Sequence, residues 1–210
     1  MEYDAAKDAH DSYFLAIEEK RRREEFRARI GAAAKRVEFI GNCVLIQGDC
    51  MDVMPTLGKV DAVVTDPPYG IKADEAAAKK NGKWGWKDYG YSSWDRARPQ
   101  KKVFDEILKI SSEHIIWGGN YFADMLPPRM RWLSWDKGQR EFSLADFELA
   151  WTSQDKAARA ITFPRVKAIK DGKEHPTQKP VEVMKWCLSF LPDAKTIFDP
   201  PSRRVCTAFA

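Results

Sequence analysis

The chain has 210 residues, 44% of them hydrophobic and 31% charged, with 35 Lys and Arg against 31 Asp and Glu. At that length one domain can bury roughly 70% of the surface of the unfolded chain, and no apolar run approaches the ~20 residues of a membrane span. Together with a mean hydropathy of −0.52, this excludes a membrane-spanning, collagen-like or wholly disordered chain. The start, Met1-Glu2-Tyr3-Asp4, is acidic and does not read as a secretory signal. The four cysteines, Cys43, Cys50, Cys187 and Cys206, form no C-x-x-C pair and none adjoins a histidine. They predict no zinc site, no disulfide framework and a reducing, cytoplasmic setting.

In chain order, residues 1–36 predict an appended amphipathic helix. Tyr13, Phe14, Ile17, Phe26 and Ile30 recur at helical spacing, and Glu18–Arg29 is almost entirely charged. Its plainest reading is a solvated helix docked by a thin apolar stripe, and the sharper one is a partner or nucleic-acid contact. The remaining 37–210 predict one α/β domain. Val44–Gln47 reads as a buried strand, Met51–Leu57 as a short helix, and Asp61–Thr65 as a second strand that stops at Asp66-Pro67-Pro68-Tyr69. Strand, helix, strand is the pattern of a parallel sheet.

Residues 72–102 predict a long loop with nine Lys or Arg against four Asp or Glu. Trp84, Trp86, Tyr89, Tyr91 and Trp94 alternate with that charge. Cations neutralise phosphates and aromatic rings stack on bases, so Lys79, Lys80, Lys83, Trp84, Trp86, Lys87, Arg96 and Arg98 are candidate DNA contacts. Beyond the loop come a helix over Val103–Ile110 and strands at His114–Trp117, Arg131–Trp135 and Phe147–Trp151. A polar, basic stretch over 153–178 follows as a candidate target-recognition segment. The chain continues with a helix over Val181–Leu191 and a last strand over Lys195–Phe198 that leads to Asp199.

The chemistry gathers at Asp66-Pro67-Pro68-Tyr69, because ligands of open α/β sheets bind beyond the carboxyl ends of the strands. Asp66 is an acceptor, the prolines fix the backbone and leave carbonyls free, and Tyr69 offers a ring face. Two acceptors on the hydrogens of an exocyclic amine would localise its lone pair, while a ring holds the base. Attack on an electrophilic methyl is then direct.

With Gly48-Asp49-Cys50, Ile116–Phe122 (IWGGNYF), Trp135-Asp136-Lys137, Phe147–Trp151, His175–Pro180 (HPTQKP) and Ile197–Pro200, the chain resembles the β-class DNA amino-methyltransferases over residues 43–200. That family transfers a methyl group from S-adenosylmethionine to adenine N6 or cytosine N4. The resemblance implies a circularly permuted, Rossmann-like α/β/α fold, double-stranded DNA as substrate, and a cognate restriction nuclease as a candidate partner. It also implies roles. Asp66 and the Pro67 carbonyl would grip the amine and Tyr69 would stack on the flipped base. Asp49 would hold the cofactor adenine, Thr177 and Lys179 would line its methionine end, and Asp199-Pro200 would open the cofactor loop.

Asp at the head of the tetrapeptide favours adenine, with cytosine N4 the alternative. No Pro-Cys pair is present for C5-cytosine chemistry, and His10, His114 and His175 are scattered, so no metal is expected. After Asp199-Pro200 the family carries a glycine-rich loop, whereas this chain reads Pro201-Ser202-Arg203-Arg204. The expectation is an incomplete C-terminal part, a bare edge on the last strand, and weak or absent cofactor binding. A non-catalytic DNA-binding remnant is therefore the rival from another class.

Overall fold

The computed structural model describes residues 2–72, 95–140, 145–164, 178–200 and 206–209, with backbone alone for 2–11 and 206–209. It is a mixed α/β fold. Helix α1 (Glu2–Ile30) leads through a short 3-10 turn into β1 (Ala34–Ile40) and β2 (Cys43–Gly48). There follow α2 (Cys50–Leu57), β3 (Ala62–Thr65), α3 (Lys101–Ile110), β4 (Glu113–Trp117), β5 (Trp132–Asp136), β6 (Phe147–Thr152), β7 (Arg159–Thr162), α4 (Val181–Leu188), β8 (Ile197–Asp199) and β9 (Cys206–Phe209).

Among the described residues the strands form a single sheet in the order β1-β2-β9-β8-β3-β4-β6-β5-β7. The centre, β8-β3-β4, is parallel, with Val63 opposite both Phe198 and His114. Antiparallel strands flank it: β9 and then β2 on one side, β6 on the other. The start of β8 is tied beside the start of β3 by Asp61, whose Oδ2 accepts from Lys195 N (2.9 Å), Thr196 N (2.7 Å) and Thr196 Oγ1 (2.9 Å).

Side chains alternate across the strands, as a period of two requires. Val63, Ile116 and Phe198 face one core with α2, α3 and the end of α1, through Val53, Phe104, Ile107 and Ile30. Ala62, Val64, Ile115 and Trp117 face the other core with Val183 and Cys187 of α4. Helices therefore cover both faces, which is why the central strands read as continuous apolar runs.

Strand β1 begins at Ala34, and Ile30 at the end of α1 is 2% exposed, so the apolar stripe of the helix docks in the core. Two features differ from the sequence reading. Strand β7 arises inside the stretch expected to be polar and basic, as an exposed edge parallel to β5. The edge of β8 is not bare: the backbone of β9 pairs with β8 on one side and β2 on the other. Backbone pairing asks little of side-chain identity, so a short segment of β-forming residues suffices to close an open edge.

Candidate active site at the carboxyl edge of the sheet

Strand directions bring the site together. β2, β8, β3 and β4 all run the same way, so Gly48-Asp49, Asp199-Pro200, Asp66 and Gly118 emerge on one edge of the sheet. β6 runs against β4 and brings its first residues, Phe147-Glu148, to the same edge. Residues 178–180 enter α4 there as well, as the contacts of Lys179 show.

At the centre, Tyr69 donates its hydroxyl to Asp66 Oδ1 at 2.6 Å. Lys179 Nζ lies 2.8 Å from Asp66 Oδ2, 2.9 Å from Glu148 Oε2 and 3.1 Å from the Tyr69 hydroxyl. These three acceptors match the three N–H groups of an ammonium. Glu148 Oε1 is 2.8 Å from Lys137 Nζ, so two carboxylates and two ammoniums alternate in a line: Asp66, Lys179, Glu148, Lys137. The Lys179 side chain is 6% exposed and Asp66 33%, so the line is closed at the lysine and open at Asp66. The ammonium also lies 5.1 Å from the Trp117 ring centre and 5.7 Å from that of Tyr69.

The electrostatics follow from this order. Burial alone would discharge Lys179, but Asp66 and Glu148 outweigh it and hold its pKa well above the usual range. Burial likewise opposes the charge on Glu148, and Lys179 with Lys137 overcomes it, pulling its pKa down to about 2. The Tyr69 phenol is driven upward by burial and by the adjacent Asp66 charge, so it is a hydrogen-bond donor and not a base. Asp199 is pushed up to about 6 by burial and by Asp66, with the Thr65 hydroxyl opposing.

The Tyr69 ring is positioned by the segment after β4. It stacks on Tyr121 at 4.8 Å and 16° and meets the edge of Phe122 at 6.2 Å. Gly118 has φ +69°, and a Cβ there would stand 2.1 Å from Tyr69 Cε1. Only glycine permits both that backbone and that approach. Gly119 serves the layer beneath, since its Cβ would meet Trp151 Cβ at 2.5 Å. Tyr121 is itself held by Arg98, which donates to the Tyr121 carbonyl (2.6 Å) and to both carboxylate oxygens of Asp124 (2.9 and 3.1 Å).

The remaining predicted residues fall as follows. Pro67 and Pro68 are buried beneath Asp66, and the buried Pro200 accepts from Thr65 Oγ1 through its carbonyl at 3.2 Å. Asp49 is exposed and caps α2, accepting from Met51 N at 2.8 Å. Arg96 is exposed, and Arg98 is committed to the Tyr121–Asp124 clamp. Thr177, Lys79, Lys80, Lys83, Trp84, Trp86 and Lys87 lie outside the described residues. Both ends of the basic loop are described, and they meet beside Tyr69. Asp95, 1% exposed, accepts from Gly70 N at 2.8 Å through its side chain and from Lys72 N at 3.0 Å through its carbonyl.

Sequence reasoning gives no part to Glu148, Lys137, Gly118 or Tyr121, although all four stand in the stretches that carry the family resemblance. The resemblance places Lys179 at a cofactor's methionine end; in the structure its ammonium is held against Asp66. No group of His, Cys, Asp and Glu suited to a metal ion occurs among the described residues. No protein-family model matches the chain, and no curated protein matches it either.

Proposed function

We propose that the chain is an S-adenosylmethionine-dependent DNA amino-methyltransferase, with adenine N6 as the target, on a circularly permuted Rossmann-like fold. The observation that carries this is the partly exposed Asp66 carboxylate at the carboxyl end of β3. A tyrosine ring lies beside it, and a lysine from 113 residues away holds its far oxygen.

Each residue then has a task. An ionised carboxylate offers about four lone-pair sites, and Tyr69 and Lys179 use one on each oxygen, so Asp66 still has room for an amine N–H. Lys179 fixes the carboxylate orientation by holding Oδ2. The Pro67 carbonyl takes the second amine hydrogen, and the lone pair of the nitrogen is freed from the ring. Tyr69 already carries a ring, Tyr121, at stacking distance, and the flipped base takes that place. When bound, the cofactor would supply an electrophilic methyl on a sulfonium, whose sulfur keeps the bonding pair as the methyl passes to the amine nitrogen. Asp66 would take the surplus amine proton and hand it to water. The exposed carboxylate of Asp49 suits the amine of a cofactor adenine. Lys179, its ammonium closed in by three acceptors, orients Asp66, and with Thr177 its segment would line the methionine end of the cofactor.

The test is transfer of labelled methyl from S-adenosylmethionine to duplex DNA, followed by nucleoside analysis. N6-methyladenine is expected, and N4-methylcytosine would replace the adenine assignment. Asp66→Ala is expected to abolish transfer while DNA binding persists; retained turnover refutes the role of Asp66. A second reading, a DNA-binding remnant without catalysis, is favoured by Pro201-Ser202-Arg203-Arg204 standing where the family has glycines. It requires salt-sensitive DNA binding with no cofactor heat in calorimetry and no transfer.

A further inference from the structure

The Asp66 carboxylate is held through both oxygens. Tyr69 donates to Oδ1 and Lys179 to Oδ2, and the Tyr69 hydroxyl accepts from the same ammonium, so carboxylate, phenol and ammonium close a ring. The ring must stay still while a base arrives, because Asp66 acts only with a free lone pair aimed at the amine. Lysine alone does not secure this. Its stem is flexible and its ammonium is a rotatable point charge that imposes no plane on its partner.

Glu148 supplies what the ring lacks. Its Oε2 lies 2.9 Å from Lys179 Nζ, and its Oε1 lies 2.8 Å from Lys137 Nζ, so the carboxylate is itself fixed at both ends. The fixture belongs to a paired ladder. Glu148 stands opposite Trp135 in the β5–β6 pairing, and Lys137 extends that pairing by donating its N–H to the Asp146 carbonyl at 3.0 Å. The charge is divided as well. Lys179 is 2.8 Å from Asp66 and 2.9 Å from Glu148, so its attraction is shared almost equally between the two carboxylates. Without Glu148 the whole of it would fall on Asp66 and weaken Asp66 as an acceptor for an amine N–H.

We propose that Glu148 is a positioning residue of the methyl transfer: from the start of β6 it fixes the Lys179 ammonium, and through it the reacting orientation of Asp66. This rests on the methyltransferase reading of the site.

The test is steady-state transfer of labelled methyl from S-adenosylmethionine to unmethylated duplex DNA of mixed sequence, by the full chain and by Glu148→Gln and Glu148→Asp. Glu148→Gln is expected to lower kcat at least about tenfold with both KM values within about twofold, since misplacing a reacting group by about 1 Å costs up to about 10²-fold. Glu148→Asp keeps the charge but has a shorter reach, and is expected to recover part of the loss. Rates are taken well below each variant's unfolding temperature and counted per folded chain by circular dichroism, so lost stability does not enter. If Glu148→Gln does not fold, the lowered kcat of Glu148→Asp decides. A wild-type kcat in either folded variant, or a loss confined to KM, overturns the role of Glu148 and leaves the methyltransferase reading intact. A wild-type chain that transfers no methyl refutes that reading, and the role of Glu148 falls with it.

Discussion

At the scale of single residues, the site depends on two that carry no reactive group. Gly118 lets the Tyr69 ring rest against the backbone, and its φ of +69° adds a second reason for glycine. Gly118→Ala is expected to push Tyr69 off Asp66 and cost about 2–3 kcal/mol of stability, since left-handed strain and a core clash add. Urea unfolding measures the cost, and an unshifted transition would show that the ring is not seated there. Tyr121 covers the Tyr69 ring at 4.8 Å, with its carbonyl held by Arg98. If a base takes that place, Tyr121→Ala should lower KM for DNA several-fold while kcat changes less. A raised KM would instead make Tyr121 part of the base-binding surface.

At the scale of elements, three of them meet in one ion line: the end of β3 with Asp66, the start of β6 with Glu148, and the entry to α4 with Lys179. Glu148 is the hinge of that line because it faces two ammoniums. Removing one partner of a poorly solvated pair leaves an uncompensated charge, so Glu148→Gln is expected to cost about 2–3 kcal/mol near neutral pH. Its folded pKa of about 2 lies below the ordinary 4.5. Its contribution is therefore full above about pH 4.5 and is lost as pH falls toward 2. Denaturant midpoints of the wild type and Glu148→Gln should thus converge through that window. A gap that stays constant with pH would show that packing, and not charge, is what Glu148 supplies.

At the scale of the whole molecule, the sheet collects acceptors on one edge and returns the basic loop to that same edge, at Asp95. The described ends of the loop, Lys72 and Asp95, are thus joined to each other next to the segment that carries Asp66 and Tyr69. Replacing Lys79, Lys80, Lys83 and Lys87 together by Ala should make the plot of log K against log salt shallower by up to about 3–4, since each neutralised phosphate adds about 0.9 to the slope. Fluorescence anisotropy at several salt concentrations reads this directly, and an unchanged slope removes the loop from the DNA interface.

The central strands, the helices between them, and the place where Asp66-Pro67-Pro68-Tyr69 interrupts the chain are legible in the order of the amino acids. Those signals are local: apolar runs of the length of buried strands, helical spacing, and prolines that end regular structure. That order did not reveal β1 and β7, which are the half-exposed edge strands of the sheet, or the pairing of β9, which is decided by β2 and β8, far apart along the chain. Nor did it assign Lys179 to Asp66 and Glu148. A lysine's partner is a matter of which strand edge its segment reaches, and that follows from strand order and direction. That Gly118 must be glycine because of Tyr69, and that Arg98 clamps Tyr121, emerges with the folded chain alone: both are contacts across loops that meet at the carboxyl edge of one sheet.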